Sequence, residues 1–284
     1  MHEGFGCITF LSDFGLKDEY VAVCKGVILT IAPEAQILDI THQVSPQNVR
    51  EAALLLERAV GFMPVAVHLA VVDPGVGTAR RPVIAESADG SAFVGPDNGL
   101  LRPALARRGG VRRCRIIANS ELMLPVPSRT FHGRDIFSPA AAYLFRGVPV
   151  EDFGPEILPE SLVELPVSLA RLEDDRFHAE VIYIDHFGNL ELNLKASDLG
   201  RIGATVGSRI ELQIGGMRLE VPFEATFDSV PEGGVVLTED SAGSVSISVN
   251  RGSAAQVLLS GRRTGSKAVL RLAEGGSGVP APHY

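Results

Sequence analysis

Three short stretches of this chain hold side chains able to do bond chemistry. Asp13, with Asp18 after it, follows the apolar run Ile8-Thr9-Phe10-Leu11. Asp73 opens Asp73-Pro74-Gly75-Val76-Gly77-Thr78-Ala79-Arg80, and His132 lies in Thr130-Phe131-His132-Gly133-Arg134-Asp135. A carboxylate at a strand end can accept both hydroxyls of a ribose, or can simply cap a turn. An arginine held by an aspartate presents a fixed fork of N–H groups. A histidine is neutral near pH 7 and can take a proton there. Each of these signals is weak alone. Each alone also has a structural reading: Asp73 as a turn former before Pro74, Arg80 with Arg81 as a solvated surface pair, His132 as a satisfied structural side chain. Gly75 and Gly77 lack the third glycine and the helix start of a dinucleotide fingerprint, and read as backbone passing close to a ligand. His42, His68 and His178 carry no supporting motif.

The elements that must position these residues change character midway. The first half alternates strand and helix. The run at 8–11 is followed by Val21, Cys24, Val27, Ile28 and Ile31 at helical spacing, with Pro33 as the stop. Ile37-Leu38-Asp39-Ile40 is the next strand, and Ser45-Pro46 reads as an N-cap and first helical position opening a helix over 47–60. The nearly continuous apolar run 66–72 predicts a strand buried on both faces. Strands alternating with helices imply parallel pairing. Asp89-Gly90 marks a hairpin between 83–86 and 92–94, and helices are expected over 100–107 and 136–146. The segment 147–168, with Pro149, Pro155, Pro159 and Pro166, reads as an interdomain linker.

The second half is strand-rich, with runs at 179–184, 235–237, 245–249 and 268–272. Its clearest unit is a hairpin, 210–214 and 217–221, turning on Gly215-Gly216. The expected architecture is an α/β N-terminal domain with a mainly parallel central sheet (1–168), plus a smaller all-β, antiparallel barrel-like C-terminal domain (169–284). The tail from Glu274 is Gly/Pro/Ser-rich and expected to be disordered.

Composition narrows the function classes. A net charge of −8, with no basic stripe, argues against nucleic acid as a partner. The longest apolar stretch, 59–72, is interrupted by Gly61, Pro64 and His68, short of the ~20 residues of a membrane span. No secretory signal opens the chain, so the cytoplasm is the expected location. Cys7, Cys24 and Cys114 are isolated and read as core thiols, neither a disulfide frame nor a zinc site.

Five motifs occur in order: Ser12-Asp13-Phe14-Gly15, Val72-Asp73-Pro74-Gly75-Val76-Gly77-Thr78, Gly95-Pro96-Asp97-Asn98-Gly99-Leu100-Leu101, Thr130-Phe131-His132-Gly133-Arg134-Asp135 and Ile184-Asp185-His186-Phe187-Gly188-Asn189. Together they closely resemble the S-adenosylmethionine hydroxide adenosyltransferases, relatives of the fluorinase and chlorinase enzymes, over about 8–272. The resemblance implies hydrolysis of S-adenosyl-L-methionine to adenosine and L-methionine without a cofactor or metal. It places the catalytic set on Asp73, Arg80 and His132, and ribose binding on Asp13, with Asp18 and Tyr20 in the same loop. Methionine contacts fall on Asp185, Asn189 and Ser241, and adenine contacts on Phe187, Phe227, Val249, Asn250 and Arg251. The resemblance also implies a homotrimer, with the ligand between the N-terminal domain of one subunit and the C-terminal domain of the next. Where the fluorinase has Tyr-Ser, this chain has His132-Gly133, and Asp73 would repel a halide, so water is the expected nucleophile.

A sulfonium leaves as a neutral thioether, so no acid and no metal is required at the leaving group. The expectation is in-line attack at the ribose 5′ carbon, with Asp73 fixing the Arg80 fork, Arg80 and His132 holding the water, and neutral His132 the natural proton acceptor. Two other classes compete. A metal-dependent phosphohydrolase could use Asp13, Asp18, Asp73 and His132 as ligands. A non-catalytic sensor of S-adenosylmethionine or adenosine would have no need of a water-positioning set.

Overall fold

Apolar runs become the middle of a sheet. In the computed structural model, which describes residues 4–166, 168–260 and 264–274, β1 (Ile8–Ser12), β2 (Ile37–Thr41) and β3 (Val67–Val71) pair in parallel with β1 between the others. Every residue of β1 and β3 is buried. The period of two along β3 decides the layers. Val67, Leu69 and Val71 face α1 (Tyr20–Ile31) and α4 (Ser138–Phe145), while Ala70 and Val72 face α2 (Val49–Val60) and α3 (Arg102–Arg107). The hairpin on Asp89-Gly90 forms as β4 (Pro82–Ser87) and β5 (Ala92–Pro96), and β5 joins β3 in parallel. The full order is β2-β1-β3-β5-β4-β6-β7, with β6 (Val111–Ile116) and β7 (Glu156–Ile157) antiparallel at the far edge. The sheet is thus mixed and mostly parallel at its core, in an α/β unit.

Two local readings are corrected. The cap of α2 is Asn48, whose side chain accepts the Glu51 N–H, and Glu51 reaches back to the Ser45 N–H and the Asn48 amide. Gln47, at φ 63°, cannot continue a helix from Ser45-Pro46, so the start moves to the next residue able to cap. The proline-rich segment after α4 is no free linker: Val150, Phe153 and Leu162 are buried, and β7 pairs with β6. The chain divides into Met1–Pro166 and Val167–Tyr284.

The second unit is antiparallel. β8 (Arg171–Glu173) lies on β9 (Arg176–Ile184), which is followed by β10 (Leu190–Lys195), β11 (Arg209–Ile214), β12 (Met217–Pro222), β13 (Val235–Glu239), β14 (Ser244–Val249), the short α5 (Ala254–Leu259) and β15 (Lys267–Leu272). The order β12-β11-β15-β9-β10-β14-β13, with a bridge from Phe223 to Leu237 between its ends, makes a nearly closed barrel. Leu190, Leu192, Ile210, Leu212, Ile247 and Leu270 fill it. All three cysteines are buried and free. Beyond Glu274 the expected tail lies outside the described residues.

Candidate active site

Asp73 follows β3 at its carboxyl end, where parallel sheets place their ligands. The loop curls through turns, with Val76 N–H on the Asp73 carbonyl and Thr78 Oγ1 donating to the Gly75 carbonyl, and returns Arg80 to Asp73. Arg80 Nε donates to both Asp73 oxygens, at 3.0 and 2.9 Å, and Nη2 donates to Oδ2. The two side chains are 9% and 6% exposed. The guanidinium lies over the Phe137 ring, 5.1 Å from its centroid. Arg80 Nη2 also meets His132 Nδ1 at 2.8 Å. The three residues named from sequence therefore form one connected set.

Arginine stays protonated, so Nδ1 is the acceptor in that bond and the imidazole proton sits on Nε2. Burial, then the Arg80 charge, hold the His132 pKa below the ordinary histidine value. With Nδ1 accepting from Arg80 and Nε2 carrying its proton, neutral His132 offers no free lone pair to a proton from water. Arg80 Nη1, by contrast, makes no hydrogen bond among the described residues.

His132 is placed by the element after it. Gly133–Phe137 form a single π-turn running into α4, and Ser138 donates both its N–H and its hydroxyl to the Gly133 carbonyl. Such turns re-aim one side chain relative to the helix that follows. Asp135, 1% exposed, accepts the Ser128 N–H at 2.7 Å and Arg134 Nε at 2.6 Å, pinning the loop before His132. At Gly133 a Cβ would lie 2.8 Å from Phe14 Cζ, so a larger residue there would have to push that ring aside. Gly77 has φ +77°, and its missing Cβ would stand 2.6 Å from the Arg129 carbonyl. The close approach read into this glycine is thus made to protein backbone, locking the Asp73 loop against the His132 loop.

Asp13 is half-buried and accepts the Gln47 N–H at 2.8 Å. Burial raises its pKa, the Gln47 bond opposes this, and the Asp73 charge adds to the rise, so the two carboxylates share one electrostatic neighbourhood. Tyr20 opens α1 with its ring edge-on to Phe14 and Phe131, at 6.3 and 5.2 Å. Asp18 is exposed in the turn before it. No group of three or more His, Cys, Asp or Glu able to hold a metal occurs among the described residues, so Asp13, Asp18, Asp73 and His132 do not converge as ligands.

In the second unit the β9–β10 turn is built on Asp185. Its Oδ1 accepts the Phe187 and Asn189 N–H groups, and its Oδ2 accepts Asn189 Nδ2 at 2.7 Å. Oδ2 keeps room for a further donor. Phe187 projects at 75% exposure and Phe227 at 49%. Asn250 ties the neighbouring loop, donating Nδ2 to the Val230 carbonyl and exchanging backbone bonds with Gly233 and Gly234, while Arg251 turns the chain at φ 53°. The 185–189, 227–234 and 249–251 segments thus crown one end of the barrel. Ser241 is set apart: it sits in the turn before β14, beside the Lys195 end of β10, about 20 Å from Asn250 at ~3.3 Å per residue.

Asn98 and Arg81 were not among the site residues read from sequence. Asn98 Nδ2 donates to the carbonyl of Val72, directly before Asp73, at 2.8 Å. Arg81 pairs with Asp97 and Ser161, so it is no solvated neighbour of Arg80. The Gly95–Leu101 motif held the only signal for Asn98, as an asparagine just past a strand end.

Comparison with known proteins places the chain's sequence in a described family. The model for the SAM hydroxide adenosyltransferase N-terminal domain matches residues 8–154, and that for the C-terminal domain matches residues 179–265. An (R)-S-adenosyl-L-methionine hydrolase from Salinispora tropica is 46% identical over 251 residues, covering 88% of this chain and 93% of that one. The Thermus thermophilus protein of the same name is 43% identical over 259 residues, covering 88% and 94%. A fluorinase from Nocardia brasiliensis is 28% identical over 275 residues, covering 87% and 91%. A solved structure of a conserved Thermotoga maritima protein superposes with a TM-score of 0.85 at 38% identity, covering 93% of this chain and 99% of that one.

Proposed function

Because this chain belongs to the SAM hydroxide adenosyltransferase family, we propose that it hydrolyses S-adenosyl-L-methionine to adenosine and L-methionine through Asp73, Arg80 and His132. The observation that carries the assignment is the single guanidinium gripped by Asp73 on one side and bonded to His132 on the other. Two fixed partners leave Nη1 as the free edge of the fork, and that edge holds the attacking oxygen. Water approaches the ribose 5′ carbon opposite the carbon–sulfur bond; the C–O bond forms as the C–S bond breaks, and the sulfur takes the electron pair. The positive charge moves to the new oxygen. A protonated alcohol is a strong acid, so its proton passes to solvent after attack and no prior general base is needed. Arg80 holds the water by a donated hydrogen bond to one lone pair, leaving the other aimed at the carbon. Alignment in a dry site supplies up to roughly 7–11 kcal/mol.

Asp13, half-buried and anchored by the Gln47 N–H, takes the ribose hydroxyls. Asp18 and Tyr20 border that site. Phe187 and Phe227, exposed rings at one barrel end, suit stacking on adenine beside Val249, Asn250 and Arg251. Asp185 and Asn189 suit the methionine ammonium and carboxylate, with Ser241 a more distant candidate. Exposed candidate residues on each unit support assembly as a homotrimer that completes both half-sites. Three free thiols suit a reducing compartment, the cytoplasm; among the described residues no helix is long and apolar enough to cross a membrane.

Incubation with S-adenosyl-L-methionine should give adenosine and methionine in equal amounts by chromatography, undiminished by exhaustive chelation. Loss of activity on chelation would revive the phosphohydrolase class. Tight binding without any product would make the chain a sensor.

A further inference from the structure

A line of polar side chains runs beneath the Asp13 turn. Ser12 Oγ lies 2.7 Å from His42 Nδ1, and both residues are buried. Ser12 Oγ also accepts the Phe14 N–H at 3.3 Å, so its hydroxyl proton is free to go to His42. On the other side, His42 Nε2 stands 3.1 Å from Asp39 Oδ1, an ion-pair distance at an angle poor for a hydrogen bond. Asp39 is held in turn by Lys25 Nζ at 2.6 Å, from α1. The carboxylate favours the imidazole proton on Nε2, which leaves the Nδ1 lone pair to Ser12. The backbone repeats the contact: Gly15 N–H donates to the His42 carbonyl at 2.7 Å. Two residue stretches that are distant in sequence, 12–15 and 39–47, are thus stitched by side chain, by main chain, and by the Asp13 bond to Gln47.

We propose that His42, oriented by Asp39 and bonded to Ser12, is a positioning residue that fixes the Ser12–Gly15 turn and so presents Asp13 and Phe14 to the substrate's nucleoside. This rests on the assignment of Asp13 to ribose binding. The line touches no reacting atom, so its effect falls on binding. A buried serine and histidine resemble a nucleophile and its base, but Ser12 is fully buried and its hydroxyl is committed to the turn.

Three variants separate the hydrogen bond from simple packing. Ser12→Ala removes the hydroxyl. His42→Gln keeps a group near Nε2, toward Asp39, and loses the acceptor facing Ser12. His42→Asn keeps an acceptor near Nδ1 and rescues the Ser12 bond. The expected result is a KM for S-adenosyl-L-methionine about three- to ten-fold higher in Ser12→Ala and His42→Gln, with kcat little changed and His42→Asn restoring most of the affinity. The dissociation constant for adenosine, measured by calorimetry, should follow the same order. That second readout stands even if the wild-type protein forms no adenosine from S-adenosylmethionine, which would sink the activity but leave the clamp to be judged on binding alone. Thermal melts of each variant identify loss of folded protein, and should His42→Gln not fold, the near-isosteric Ser12→Ala carries the comparison. Wild-type affinity in Ser12→Ala and His42→Gln would overturn the proposal. So would equal weakening by His42→Asn and His42→Gln, which would trace the effect to the imidazole's packing on Phe10, 4.6 Å away between centroids.

Discussion

Replacing Asp73 by asparagine keeps the shape of the side chain and removes its charge. Arg80 would lose its counter-ion in a setting where the two side chains are 9% and 6% exposed, and one of its N–H groups would face an amide N–H. Removing one partner of a buried pair costs about 3–5 kcal/mol. At about 2–4 °C per kcal/mol for a unit of this size, the N-terminal unit should melt roughly 6–20 °C lower. The kinetic effect has a different source. Three contacts from Arg80 to Asp73 aim the Nη2 bond at His132 and the free Nη1 edge at the water. Misplacement by ~1 Å costs about 100-fold, so kcat should fall by about that factor while KM moves little, because Asp73 is spent on Arg80 rather than on substrate. Adenosine release at saturating substrate and a thermal scan measure the two effects separately. In the Asp73→Asn/Arg80→Met double variant the stranded charge is gone, so stability should recover in part while activity stays lost. A kcat for Asp73→Asn within about three-fold of wild type would refute the aiming role, and a double variant no more stable than Asp73→Asn would refute the buried-pair account.

Three further outcomes are expected. Burial and the Arg80 charge lower the His132 pKa, so kcat should hold level as pH falls to ~6.5 and drop only below it, as a proton on Nδ1 confronts Arg80; the stability this group contributes, present above ~6.5, is lost over the same window. An acid limb centred above pH ~7 would contradict this. Asn98→Ala withdraws the donor from the Val72 carbonyl, costing about 1–3 kcal/mol in a denaturant melt and lowering kcat more than it raises KM; a variant as stable as wild type would deny Asn98 its anchoring role. Phe187→Ala should leave stability within about 0.5 kcal/mol, the ring being 75% exposed, yet raise KM about ten-fold or more through lost stacking; an unchanged KM would remove Phe187 from adenine binding.

Much of the fold was legible because its strands are apolar runs with short-range signals: 66–72 for β3, Asp89-Gly90 and Gly215-Gly216 for two hairpins. What was hidden depends on partners far along the chain. β6 carries Arg112, Arg113 and Arg115 in six residues and does not look like a strand. It forms because Glu86 on β4, Glu151 and Glu156 neutralise two of those arginines. Ser45-Pro46 imitates a helix start, but the real cap is chosen by whichever side chain reaches Glu51. At the site, residue types and motif order found Asp73, Arg80 and His132, whereas the direction of their bonds, and with it the committed Nδ1 of His132, exists only once the loops meet. The Ser12–His42–Asp39 line was invisible for the same reason: His42 has no motif around it, and its serine ends the neighbouring strand, thirty residues earlier in the chain.

The most direct measurement is turnover of S-adenosyl-L-methionine in water enriched in oxygen-18, with mass spectrometry of both products. Attack at the ribose carbon predicts one labelled oxygen, in the 5′ hydroxyl of adenosine, and none in methionine. Unlabelled adenosine, or label appearing in methionine, would contradict solvent attack at that carbon.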